Sequence, residues 1–200
     1  MALKITLVGS RFFGAAVLDK LVDLDVTVLQ VVAPAPDDRL LLRAQALKLP
    51  VIQQHDPRHV PAGEIADGTE LIVAAHTHAR VDADALAKTR FGGIGYHPSL
   101  LPRHRGIAAV EWTIKSGDAI AGGSIYHLAE RMDAGAIAAQ DWCFVRPGES
   151  ARELWERALA PMGIRLLAQV VAGVSASGVL PAQAQDEQFA TLAPKLPKQN

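Results

Sequence analysis

Lys4-Ile5-Thr6-Leu7-Val8 is stopped by Gly9-Ser10; a stretch from Arg11 to Leu24 follows, and then Val26-Thr27-Val28-Leu29-Gln30-Val31-Val32-Ala33. The first and last runs are apolar and β-branched, the composition of buried strands. Between them Phe13, Val17, Leu18, Leu21 and Val22 recur at helical spacing. Strand, helix and strand in that order form a β-α-β unit, which implies a parallel sheet with a right-handed crossover. The turn from Gly9 to Gly14 lacks the middle glycine that lets backbone approach a pyrophosphate, so it reads as a tight turn into a helix rather than a dinucleotide fingerprint.

Working outward, Arg39–Lys48 reads as a helix, Val51-Ile52 as a short strand, and 56–68 as a connecting loop with one helical turn. Leu71–Ala75 is a further buried strand ending at His76-Thr77-His78, and Val81–Lys88 a helix. Gly92-Gly93-Ile94-Gly95-Tyr96-His97 then runs into Pro98-Ser99-Leu100-Leu101-Pro102-Arg103-His104-Arg105-Gly106. Pro98 biases His97 towards extended backbone, which sets the imidazole at a strand end, where the clefts of α/β sheets lie. Ile107–Ser116 is a helix, with Glu111 and Lys115 as an exposed pair, and Ala119–His127 and Ile137–Phe144 are strands. Ser150 and Glu153 have capping-box spacing at the start of a helix that continues, kinked, beyond Pro161 to Val171. Residues 1–182 are expected to form one catalytic domain, and 183–200, polar and proline-punctuated, an extended tail.

Two hundred residues, half of them apolar, suffice for one real core. A formal net charge of -1 argues against a nucleic-acid partner. Cys143 is the single cysteine, so no disulfide within the chain and no cysteine-rich zinc site is expected, in keeping with a reducing cytoplasm; it reads as a buried small hydrophobe. The start goes straight into a strand pattern without a leader, and no apolar stretch reads as long enough to cross a bilayer. The sequence leaves the oligomeric state open.

His97, His127 and Asp133 fall at presumed sheet ends. A histidine and an aspartate meeting in one cleft are what an acid–base site requires. His76 and His78, spaced i, i+2, lack an adjoining third ligand, so they read as a loop lining the His97 cleft rather than as a metal site. His127 has two readings, a support for Asp133 or a structural histidine. Arg103 and Arg105 also have two, attraction of an anionic substrate tail or a solvated turn.

His97-Pro98-Ser99-Leu100-Leu101-Pro102, followed by Arg105-Gly106 and, downstream, Asp133-Ala134-Gly135, resembles the formyltransferase family that uses 10-formyltetrahydrofolate. The resemblance runs from the first strand to about Leu167, with an echo at Ala190-Thr191. Tyr96–Gly106, Trp112-Thr113 and Gly117-Asp118 are most similar to the hydrolase domain of 10-formyltetrahydrofolate dehydrogenase. It implies a Rossmann-like α/β fold, a mostly parallel sheet with helices on both faces. It gives His97 and Asp133 the places of the family's catalytic histidine and aspartate. It also puts Ala74, Ala75 and His76 beside the pterin; Gly95, Arg103 and His127 are read as further binding residues. The co-substrate implied is 10-formyltetrahydrofolate, without a metal, and the acceptor an unidentified amine or water. Gly95 stands where the transferases carry an asparagine whose amide donates to the oxyanion; loss of one such donor costs about 2.7–4 kcal/mol of barrier. The bulky aromatics of Ser10-Arg11-Phe12-Phe13 disfavour a glycinamide ribonucleotide acceptor, and two hundred residues are not expected to hold the further domains of the methionyl-tRNA and dehydrogenase enzymes. The alternatives are a non-catalytic folate-binding protein and a sugar-nucleotide N-formyltransferase.

Overall fold

The β-α-β pattern at the start of the chain forms as the sequence implies. In the computed structural model, which describes residues 2–197, Leu3–Gly9 (β1), Arg11–Val22 (α1) and Val26–Ala33 (β2) follow one another, and β1 lies parallel to β2. Val51–Gln53 (β3) extends the sheet beyond β2, Leu71–Ala75 (β4) pairs with the other side of β1, and Gly93–His97 (β5) pairs with β4, all parallel. Ile120–His127 (β6) and Ile137–Phe144 (β7) pair antiparallel. The strand order is β3-β2-β1-β4-β5-β6-β7, so the sheet is mostly parallel, as expected. His59–Val60 and Arg80–Val81 form a separate small parallel pair, the first inside the stretch read as loop and the second at the start of the stretch read as helix, whose helical part is Ala83–Ala87 (α3). Backbone pairing between distant segments carries no local periodicity, which is why the sequence did not show it.

The chain divides into two compact units, one of residues up to Gly95 with Leu167–Leu180, the other of Tyr96–Leu166 with the residues from Pro181 on. In the first, Ile5, Leu7, Leu71 and Ile72 of the sheet are fully buried with Leu18 and Leu21 of α1, and with Leu40 of Arg39–Ala46 (α2). Each such side chain contributes about 1.5–3 kcal/mol relative to exposure. The order of connections reverses at β1, so the chain leaves the C-terminal ends of β1 and β4 in opposite directions. Asp38 caps α2 by accepting from the Leu40 N–H.

In the second unit, Ile125 of β6 and Val110 of Ala109–Lys115 (α4) are buried with Leu101, Leu154 and Leu159. The expected capping box is present: Ser150 accepts from the Glu153 N–H, and the Glu153 carboxylate accepts from the Ser150 N–H. The kink expected at Pro161 is absorbed differently. Ala151–Leu154, a π-helical turn at Trp155–Leu159 and Ala160–Ser177 run on as one helix (α5). Proline removes an N–H and crowds the carbonyl four residues back, here Arg157, and a wider turn relieves both. Because this turn keeps the helix continuous, Ala151–Ser177 is long and apolar enough, by length and composition, to cross a bilayer, which corrects the sequence reading. Half of its most apolar window is buried inside the protein, with Leu159, Leu166, Leu167 and Val171 in the core.

Arg157 also grips Glu149 through two nitrogens, Nε to Oε1 at 2.5 Å and Nη2 to Oε2 at 2.8 Å. These bonds, with the Arg146 N–H, hold the Glu149 carboxyl down at about 2. A carboxylate depressed by folding stabilises the folded state fully above its ordinary value of 4.5, and that contribution is lost as pH falls towards 2. Glu149→Gln is therefore expected to cost about 1 kcal/mol at pH 7, screened by solvent. It should also flatten the acid limb of a thermal-denaturation series between those two pH values.

Candidate functional site

The second unit carries the densest polar constellation. His97 ends β5 and is 6% exposed. Its Nε2 lies 2.7 Å from the His104 carbonyl oxygen, which can only accept, so Nε2 carries the hydrogen. Its Nδ1 lies 3.6 Å from Asp133 Oδ2, within ion-pair reach and beyond direct hydrogen-bond length. Asp133 is itself 7% exposed. At this depth a protonated imidazole and a carboxylate attract more strongly than they would in water.

The loop after His97 is held by its own small polar residues. Ser99 Oγ donates to the Arg103 carbonyl (2.6 Å), Ser124 Oγ to the Ser99 carbonyl (2.6 Å), and the Leu101 N–H to Ser124 Oγ (3.0 Å). Gln140 Nε2 donates to both the Leu101 carbonyl and Ser124 Oγ. The Leu101–Pro102 peptide is cis. The loop ends at Gly106, whose φ of 120° and 2.8 Å N–H bond to Asp133 Oδ2 join it directly to the acidic residue.

Asp133 adopts a left-handed backbone (φ 54°), which costs an ordinary residue about 1–2 kcal/mol. Gly135 follows because a Cβ there would collide with the His127 carbonyl. Gln185 secures the turn, its Nε2 donating to the carbonyls of Asp133 (2.8 Å) and Gly135 (2.7 Å). Gln185 Oε1 in turn accepts from Arg105, and Glu187 completes that guanidinium at 2.7 and 3.0 Å. Arg105, only 4% exposed, is thus engaged by its own chain. Thr191 Oγ1 accepts from the His104 N–H, and Arg105 pairs with Leu192 in an isolated bridge. The segment read as a tail is therefore bound along the His97 loop up to Ala193, whose N–H donates to the Arg105 carbonyl (2.7 Å); residues 198–200 lie outside the described residues.

Tyr126 and Gln185 were missed in the sequence, and Thr191 entered only through the echo at Ala190-Thr191. Tyr126 stacks edge-on against His97 with ring centroids 6.4 Å apart. Burial of its phenol end, then the charge of Asp133 and a hydrogen bond to it, push that phenol well above its usual 10. Its place seven residues before Asp133, on the strand leading to it, is the one signal the sequence held. His127, by contrast, turns to the Pro181 carbonyl (Nε2 2.8 Å), not to Asp133. Arg103 is taken by Asp118 through bonds of 3.0 and 3.1 Å.

The remaining residues singled out in the sequence lie in the first unit. Ala74 and Gly95 are paired with each other in the sheet, and Gly95 supplies no side-chain donor. The Ala75 carbonyl accepts from the Ser10 N–H (3.2 Å), and the His76 carbonyl from Ser10 Oγ (2.6 Å). His76 is left-handed (φ 59°), and burial, with the charges of His78 and Arg11, lowers its pKa, so it is neutral at pH 7. Among the described residues no group of three or more His, Cys, Asp or Glu is placed to hold a metal ion.

This arrangement accompanies a clear kinship. Residues 25–171 match the formyl transferase family, and the chain belongs to it. Over 94% of its length it is 35% identical to the mitochondrial 10-formyltetrahydrofolate dehydrogenase of Mus musculus, and 34% identical to the cytosolic 10-formyltetrahydrofolate dehydrogenase of Homo sapiens. It spans 22% of the length of those relatives. Among solved structures it is similar to glycinamide ribonucleotide transformylase 1 from Symbiobacterium toebii (TM-score 0.78, 19% identity, 92% of this chain and 93% of that one). It is also similar to an N-formyltransferase from Helicobacter canadensis (TM-score 0.76, 14% identity, 96% and 71%). These two likenesses concern the fold.

The Gly106 constraint can be tested directly. A Cβ at Gly106 would meet the Ala193 carbonyl oxygen at 2.7 Å, on a backbone that side chains rarely adopt. Gly106→Ala is expected to destabilise the protein by about 1–3 kcal/mol, read as a fall in denaturant midpoint without a change in m-value.

Proposed function

We propose that the chain is an enzyme that removes the formyl group from 10-formyltetrahydrofolate and passes it to water or to an amine. The observation that carries this reading is the His97–Asp133 pair, both side chains buried and 3.6 Å apart, set in the motif of the formyl transferase family. The nucleophile attacks the formyl carbon and the C=O electron pair moves to oxygen. Protonated His97 stabilises that oxyanion through Nδ1, because Nε2 is already committed to the His104 carbonyl. Asp133 accepts the proton released by the nucleophile. As the oxyanion collapses, the C–N10 bond breaks and N10 takes up the proton that Asp133 had accepted, giving tetrahydrofolate and formate or a formamide. The groups needed at the formyl carbon, an imidazole N–H and a carboxylate, are both present.

Gly95 and the bulky turn at Phe12-Phe13 favour water over a phosphorylated amine as the acceptor, and so does the likeness to the dehydrogenases named above. We place the activity in residues 1–182 braced by the bound segment 183–193, with the pterin beside Ala74, Ala75 and His76, and in an aqueous compartment such as the cytoplasm. Incubation with 10-formyltetrahydrofolate, with and without candidate amines, tests this by formate release and folate absorbance. His97→Ala and Asp133→Ala should each lower turnover by about 10²–10⁴-fold, while folate binding by calorimetry stays within severalfold. Full turnover in Asp133→Ala would overturn the assignment. Tight folate binding without turnover in the unaltered protein would instead favour a non-catalytic binding protein.

A further inference from the structure

The His104 side chain has no part in the chemistry above, yet His104 is among the most constrained residues in the second unit. Its side chain is 7% exposed, and its Nε2 donates to Asp118 Oδ2 at 2.7 Å. Its N–H donates to Thr191 Oγ1 at 2.8 Å, and its carbonyl accepts from His97 Nε2 at 2.7 Å. Its φ is 55°, a left-handed conformation that histidine adopts at a cost of about 1–2 kcal/mol. Burial alone would raise the Asp118 carboxyl, but hydrogen bonds from His104 and Arg103 outweigh it and hold that carboxyl below its usual range. Asp118 is therefore an anion at neutral pH, and the hydrogen in the His104–Asp118 bond belongs to His104.

We propose that His104 is a positioning residue for His97: anchored on Asp118, it holds a left-handed turn whose carbonyl keeps the His97 hydrogen on Nε2 and leaves Nδ1 to face Asp133. The catalytic consequence rests on the function proposed above; the tautomer assignment stands without it. An imidazole fixed by an acceptor on one nitrogen presents the other in a single tautomer. Without that acceptor, neutral His97 can shift its hydrogen to Nδ1, where the Asp133 carboxylate attracts it, and the proton-exchanging nitrogen then points away from Asp133. The charged and titratable groups facing the two rings are Asp133 and Tyr126 around His97, and Asp118 with Arg103 behind His104. A cavity of about 340 Å³ borders His104, Asp118, Arg103 and Thr113 but neither His97 nor Asp133, so the anchor can be reached separately from the dyad.

Two variants separate positioning from general damage. His104→Asn keeps a residue that tolerates the left-handed turn but cannot reach Asp118 as imidazole does; Asp118→Asn removes the anionic acceptor and keeps its size. Imidazole ¹⁵N shifts of His97 should show one Nε2–H tautomer in the unaltered protein at high pH and a mixture in both variants. Turnover should fall about a hundredfold with KM little changed, and the pH–rate profile should move. In His104→Gly, added imidazole should restore activity through the cavity. Variants that keep the single Nε2–H form would overturn the proposal, as would an unaltered protein whose His97 hydrogen sits on Nδ1. If the unaltered protein lacks turnover, the proposed function fails, while the ¹⁵N spectra still decide the role of His104.

Discussion

The 2.8 Å bond from the Gly106 amide to Asp133 Oδ2 joins two loops that lie 27 residues apart in the chain. Without it, the strand bearing His97 and the turn bearing Asp133 would end independently, and nothing local would bring an imidazole and a carboxylate to 3.6 Å. The bond is backbone to side chain, so the identity of Asp133 matters twice, as acceptor for the loop and as neighbour of the ring. Gly106 is the residue that lets this happen, because its φ of 120° aims the N–H at the carboxylate while its backbone lies against Ala193.

The C-terminal segment extends this constraint. Gln185 faces two ways, donating to the Asp133 turn and accepting from Arg105, the residue before Gly106. One amide side chain thus ties both loops a second time, and Glu187 neutralises the buried guanidinium that makes the tie possible. Removing Glu187 would leave a charge 96% buried with only an amide for company, the costlier way to break a buried pair. The polar, extended stretch after Leu180 is in this sense part of the site.

How much of this was legible in the sequence follows from the range of each interaction. β1, α1 and β2 announce themselves because apolar β-branched runs and helical spacing are local signals, and the capping box at Ser150 is local as well. His97 and Asp133 stood out because proline and glycine punctuate the chain next to them. Gln185 and Tyr126 did not, since a glutamine in a polar tail looks the same whether it meets water or a buried arginine. Arg103 and Arg105 show the same blindness in reverse: two arginines in a turn invite an anionic ligand, and the structure gives both of them to the protein's own carboxylates. The course of α5 differs for another reason, as Pro161 signals a kink and the π turn at Trp155–Leu159 absorbs it.

Backbone strain and side-chain bonding coincide at three of the loop bends. Five non-glycine residues adopt left-handed conformations among the described residues, and three of them, His76, His104 and Asp133, are chemically capable side chains at loop bends. Glycine would fit each bend more cheaply by the local rule. At each, a side-chain bond offsets the cost: Ser10 to the His76 ring and carbonyl, Asp118 to His104, and the Gly106 amide to Asp133. A side chain held on such a bend has its direction fixed by backbone and partner together, which narrows its motion more than a rotamer preference alone. The fold thus converts local conformational cost into aim at His76, His104 and Asp133.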